Sequence, residues 1–252
     1  MLAKITGTHE RKARLYPALL ALIPPVGIVV GVYGFTLQVK SGSIGLLATF
    51  GVFYLLASIV RELGKRLENS LFDEWGGKPT TKILRHRDQT IDPITKARYH
   101  AFLAKQIGLI FPSVSDERDD PIAADHSYQS GVRWLLDQTR DVKTFDLLFQ
   151  ENIAYGFRRN SLGLKPIALT IACSSIAWLF VAQRVITKQG FSPDALESLP
   201  IGSWVALATS VIMLTIWIFF LTKRTVKTAA FTYAEMLLRA CDILQGKNKE
   251  RK

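Results

Sequence analysis

Residues 15–37 read LYPALLALIPPVGIVVGVYGFTL and residues 201–222 read IGSWVALATSVIMLTIWIFFLT. Neither run contains a charged side chain. Each meets the roughly 17–25 apolar residues that a helix needs to cross a hydrocarbon core. A soluble domain would break such residues into stripes with a helical or strand period. Two further runs have the same character: residues 44–60, IGLLATFGVFYLLASIV, and residues 166–186, which hold one charge, Arg184, at the far end. A long side chain in that position can reach back to the headgroups. The expected fold is an all-α integral membrane protein with four transmembrane helices in two hairpins, turning through residues 38–43 and 187–200.

Charge sets the orientation. The 252 residues carry a formal charge of +11, and the excess is concentrated at the ends of the chain. The segment before the first run has Lys4, Arg11, Lys12 and Arg14 against Glu10. After residue 222 there are eight basic residues and three acidic ones. The two turns have Lys40 and Lys188. Short basic segments stay on the cytoplasmic side, so both termini and the long central region are expected there. The expected organisation is a cytoplasmic segment 1–14, a first hairpin 15–60, a cytoplasmic helical domain 61–164, a second hairpin 165–222, and a cytoplasmic C-terminal helix with a basic tail, 223–252. The basic N-terminus does not read as a signal peptide, because the apolar stretch after it runs on too long.

The central region holds sixteen basic and fifteen acidic residues, so the surplus charge lies beside the membrane. There it serves topology and attraction to anionic lipid, at about 1 kcal/mol per basic residue. The alternative is a basic surface for a nucleic acid or nucleotide. The second run is expected to continue as a helix past Val60, with an apolar stripe at Leu63, Leu67, Leu71 and Phe72, and to stop at Gly76-Gly77. A short helix is expected over 80–87. Asp92-Pro93 and Asp120-Pro121 each pair an N-cap with proline at the first helical position, opening helices over 93–107 and 121–139. Residues 109–119 read as the main loop. A helix over 144–160 is expected to be separated from the third run by Gly163 and Pro166. In the tail, apolar residues from Val226 to Leu244 recur at helical spacing. The fourth run is expected to extend as one helix to about Leu244, packing on the central helices.

Candidate sites divide into packing positions and charged clusters. Small residues recur four apart at Gly27 and Gly31, Ala168 and Ala172, and Ala206 and Ser210, a spacing that lets helices approach closely within one chain or between subunits. Pro24-Pro25 should bend the first span. No Asp, Glu, Lys or Arg lies at mid-depth in any run, which argues against an energised transporter. It leaves room for a pore lined by hydroxyls or apolar rings. Lys78, Lys82, Arg85 and Arg87 form a short basic cluster able to hold an anion. The stretch WGGKPTT at 75–81 is not a phosphate loop: Phe72 stands where its first glycine belongs, and proline follows Lys78. Arg158 and Arg159 sit in YGFRRNSLGLKP, residues 155–166, either as an interfacial anchor or as an elbow that moves the third span.

The acidic run from Asp116 to Asp125 lacks calcium-loop spacing. Cys173 and Cys241 read as reduced structural thiols. The sequence points to no metal and no cofactor. There is no recognisable catalytic motif, so the expectation is a protein that is not an enzyme. The competing enzymatic reading is a membrane-bound hydrolase using His86 or His100 with nearby carboxylates.

The layout, with WGGKPTT and YGFRRNSLGLKP nearest to carrying it, resembles small bacterial multi-span membrane effectors encoded in anti-phage defence operons. The resemblance implies an inner-membrane homo-oligomer, a ligand-gated channel or membrane-disrupting effector. It further implies control by a nucleotide or oligonucleotide sensed by the cytoplasmic helices, with an operon-encoded partner. It assigns no residue. The other reading of the same layout is a passive scaffold that anchors a cytoplasmic partner.

Overall fold

The computed structural model describes residues 11–33 and 42–250, with side chains at 42–53 and 247–250 left aside. The expected turn at 38–43 and the basic Lys4 and Lys40 fall wholly or mostly outside these residues. Described residues are mostly helical. A π-turn, Arg11–Leu15, leads into α1, Tyr16–Tyr33. Then come α2, Gly42–Trp75; α3, Pro79–Leu84; α4, Pro93–Ile107; α5, Val114–Asp119; and α6, Pro121–Gln138. Next are α7, Asp146–Ala182; a two-residue hairpin of β1, Ile186–Thr187, and β2, Gly190–Phe191; and α8, Pro193–Glu197. Finally come α9, Ile201–Thr215, a π-turn Ile216–Phe220, and α10, Lys223–Glu250.

Among the described residues three helical stretches are long and apolar enough to cross a membrane: Arg11–Tyr33, Asp146–Ala182 and Ile201–Phe220. The remaining run, 44–60, forms the N-terminal half of α2. The chain divides into two compact units. The first, residues 1–67 with 156–226, holds two of these stretches whole and the third from Gly156 onward; the second, residues 68–155 with 227–252, holds α3 to α6, the first turns of α7 and most of α10.

Within the first unit, α1 packs along α9. Gly31 and Gly202 meet backbone to backbone: a Cβ added to Gly202 would stand 2.5 Å from the Gly31 oxygen. Farther along, Ala18, Ala21, Val60, Leu164, Ala168, Trp217 and Leu221 form a buried cluster. Gly163 packs on the Leu63–Gly64 backbone, where a Cβ would come within 2.7 Å of the Gly64 nitrogen.

Within the second unit, Ile83, Leu84, Tyr99, Leu103, Tyr128 and Leu135 make a core with Ala234, Leu237, Leu238 and Cys241 of α10. The α10 stripe therefore covers the short helices. Burial pushes the Cys241 thiol up to about 12. Cys173 is unpaired as well.

The structure differs from the sequence reading at four points. Residues 144–160 and the third run are one helix, α7, uninterrupted at Gly163 and Pro166. Gly163 serves close packing, and a proline inside an apolar helix loses one donor that its surroundings can offset. The third run ends at Ala182, because Arg184 turns left-handed with φ 57°. Its tip is a small hairpin pairing Ile186 with Phe191 and Thr187 with Gly190. The fourth run does not pass straight into the tail helix. The π-turn ends at Leu221, and α10 restarts with reciprocal bonds between Thr222 and Thr225, each backbone N–H donating to the other's hydroxyl. Lastly, the 109–119 loop contains α5, which Ser113 and Asp116 close with a capping box.

Candidate functional site

Main-chain groups organise the polar centre of the second unit. Helix α3 is six residues long, and the chain turns away after Arg85. Its last carbonyls need donors, and side chains from α4 supply them. His100 donates from Nε2 to the Leu84 oxygen at 2.7 Å. The Lys96 ammonium, almost fully buried, donates to the Arg85 oxygen at 2.7 Å and to the Asp88 oxygen. Burial lowers the Lys96 pKa against the pull of Asp88 and Glu117.

Glu117 on α5 closes the other side. It is 6% exposed and accepts from the His86 backbone N–H at 2.7 Å and from the Tyr128 hydroxyl at 2.8 Å. Burial raises its pKa, but those donors and the Arg87 backbone outweigh it and hold the carboxyl below its ordinary value. His86 donates from Nε2 to the Pro112 oxygen at 2.9 Å. The His86 and His100 rings meet edge to face at 5.0 Å, and Tyr128 stacks on His100 at 5.3 Å. Burial drives the His100 pKa down to about 4, so the ring is neutral near pH 7. Both imidazoles are thus committed through Nε2 to carbonyls. This arrangement fixes the turn after α3.

The basic cluster is spread around this centre. Arg85 forks onto Asp125, with Nε to Oδ1 at 2.8 Å and Nη2 to Oδ2 at 2.6 Å, while Nη1 donates to the Gly76 oxygen at 2.7 Å. Lys82 donates to the Trp75 oxygen at 2.9 Å, at the C-terminus of α2, and lies over the Phe231 ring. A cation there meets the negative end of the helix dipole. Lys78 is exposed at the start of α3. Arg87 is exposed, with Nε 3.9 Å from Glu117 Oε1. Lys78 and Arg87 therefore offer the outward-facing cations of the four.

Arg158 and Arg159 lie on α7 in the first unit, whereas that cluster belongs to the second. Arg159 donates to Asn160 Oδ1 at 3.0 Å, and Asn160, 1% exposed, donates to the Ala13 oxygen at 2.7 Å. Ala13 belongs to the π-turn before α1. Sequence reading passed over Asn160; a lone amide in a long apolar-to-basic transition was its only signal. Lys165, one turn on, donates to the Ile218 and Leu221 oxygens at 2.9 and 3.0 Å, capping the π-turn. Of the small residues, Ala168, Ala172, Ala206 and Ser210 are buried, Gly31 meets Gly202, and Gly27 faces open space.

The acidic residues are used locally. Asp116 and Asp120 cap α5 and α6, Glu117 is buried as described, and Asp125 holds Arg85. Among the described residues no group of three or more His, Cys, Asp or Glu side chains is gathered as a metal site.

No family model, curated protein or solved structure matches the chain. The fold defines a class: a mostly helical protein with three helices long and apolar enough to cross a membrane and a second compact helical unit.

Proposed function

We propose that the protein is a homo-oligomeric, ligand-gated conduit or membrane-disrupting effector, with the helical unit receiving the signal and the membrane unit giving the response. On this reading all four apolar runs cross a bacterial inner membrane, and both termini lie in the cytoplasm. The carrying observation is helix continuity. Both passages of the chain between the units in its first 160 residues, at 67/68 and 155/156, fall inside helices α2 and α7. A rearrangement at the cytoplasmic end of α7 has an unbroken helix along which to reach the bilayer. The membrane unit suits a conduit better than a pump, because its apolar runs lack mid-depth charges.

Switching requires two states separated by only a few kcal/mol, so that ligand binding can exchange them. Full-length protein purified in detergent should run as an oligomer and should release trapped ions from liposomes. A monomer that releases none, with or without nucleotides, removes this reading and leaves a membrane scaffold for a cytoplasmic partner.

A further inference from the structure

The helical unit contains a cavity of about 240 Å³ between the turn after α6, the first turns of α7 and the inner face of α10. Its walls include Thr139, Arg140, Val142, Phe149, Asn152 and Tyr233. The Tyr233 ring is stacked parallel on Tyr155, with centroids 6.3 Å apart, and Tyr155 is itself anchored by donating to Glu68 at 2.7 Å. One wall is therefore a fixed aromatic surface. Two polar side chains on these walls are uncommitted. Among the described residues neither the Tyr233 hydroxyl nor the Asn152 carboxamide has a hydrogen-bond partner. The phenol is a donor at neutral pH, as an ordinary tyrosine is, and burial raises its pKa further.

Tyr233 and Asn152 are both half-buried and their polar atoms are open to solvent, so each can exchange water for a polar atom of a ligand. A carboxamide offers two donors and an acceptor in one plane, the pattern that reads the edge of a heteroaromatic base. Aromatic faces next to it stack such rings. Arg140 stands at the rim, largely exposed and, among the described residues, joined to Asp137 by a surface ion pair. Such pairs contribute little, so the guanidinium can exchange Asp137 for a phosphate at small cost. The volume falls below the roughly 300–1,000 Å³ of drug-sized sites. That size suits one ring system with its charged substituent left outside.

We propose that this cavity binds the base of a nucleoside phosphate, with the ring against Phe149 and Tyr233, its edge read by Asn152 and its phosphate held by Arg140. The site rests on reading the helical unit as the sensor and gives that reading a place. It also differs from the basic cluster around Arg85. Phe149 and Asn152 belong to α7, the helix that runs on as the third apolar stretch, and Tyr233 belongs to α10, which follows the fourth. A bound base would join the two.

Calorimetric titration of the full-length protein in detergent with AMP, GMP, CMP and UMP tests the site. At least one should bind with a dissociation constant below about 100 μM, and ribose 5-phosphate should bind at least about tenfold more weakly. Asn152→Ala should weaken binding by about tenfold or more. Val142→Trp, which changes a partly exposed wall residue, should block the cavity while leaving thermal unfolding unchanged. Absence of binding by all four nucleotides at about 1 mM overturns the proposal; so does binding that both variants leave intact. Ion release without nucleotide binding would remove this site and keep the conduit. Binding without ion release would keep the site and remove the conduit.

Discussion

Gly31 and Gly202 occupy each other's side-chain space. A Cβ on Gly31 would overlap the Gly202 carbonyl oxygen, and Ala206 Cβ would stand 3.1 Å away on the same side. The neighbours on one side are backbone, which cannot rotate aside as a side chain can. Gly31→Ala should therefore cost about 1–3 kcal/mol through overpacking, and Gly31→Leu more. Gly27→Ala, with nothing within 4 Å, should be near neutral. Thermal unfolding in detergent checks the contrast; equal effects at Gly27 and Gly31 would contradict the α1–α9 crossing.

The neutral His100 makes the helical unit acid-sensitive. Its pKa is about 4 in the folded chain and near 6.5 when exposed. Between those values the unfolded chain binds more protons, so stability rises with pH. The contribution is fully present above about pH 6.5 and is lost as pH falls toward 4, in total on the order of 3 kcal/mol. Glu117, whose pKa is lowered, acts in the same direction at still lower pH. Chemical unfolding followed by tryptophan fluorescence should give midpoints that fall between pH 7 and 4. His100→Phe should flatten that fall while lowering stability at pH 7, because the Leu84 oxygen loses its donor. An unchanged slope in the variant would show that other groups carry the acid sensitivity.

The Arg85–Asp125 fork is mostly shielded from water, with 12% and 24% of the two side chains exposed. Removing Asp125 leaves a guanidinium half-buried without its carboxylate. Asp125→Ala should destabilise the unit by about 2–4 kcal/mol. Arg85→Lys should destabilise it as well, because an ammonium cannot make the two-pronged contact. If the cluster reads an anionic ligand, Asp125→Ala should also tighten pyrophosphate binding by releasing Arg85. Calorimetry on the same sample separates that gain from the stability loss.

What the sequence made legible follows from how local each signal is. Apolar runs need only composition and length, and the caps at Asp92-Pro93 and Asp120-Pro121 need two adjacent residues. The helices at Pro93 and Pro121 start where those caps place them. Gly163 misled because glycine marks both a helix stop and a close crossing, and only the partner backbone at Leu63–Gly64 tells them apart. The break at Leu221 was hidden within IWIFFLTK, which contains no glycine or proline; its sign was the Thr-x-x-Thr pair that caps α10. The pairing of Arg85 with Asp125, forty residues apart, and of Lys96 with two carbonyls, arises from tertiary packing that no local spacing encodes. The nearness of His86 to His100 depends on the α3–α4 turn in the same way.

The number of spans can be decided by labelling from one side. The tip hairpin beyond α7 carries Arg184 and Lys188 against Asp194 and Glu197, whereas the tail carries eight basic residues against three acidic ones. The positive-inside rule then predicts the tip outside and the helical unit inside. Cys173→Ser removes the exposed native thiol, and Cys241 is buried with its thiol pushed up to about 12. In that background Gln189→Cys should react with an impermeant maleimide in intact cells. Arg118→Cys, on the exposed face of α5, should react only after the membrane is opened. Thr8→Cys discriminates further. If residues 44–60 cross the membrane, the N-terminus lies with the helical unit, and Thr8→Cys is protected like Arg118→Cys. If that run does not cross, three spans remain, and Thr8→Cys reacts from outside like Gln189→Cys. Protection of Gln189→Cys with labelling of Arg118→Cys would invert the whole topology and take with it the expectation of a cytoplasmic sensor.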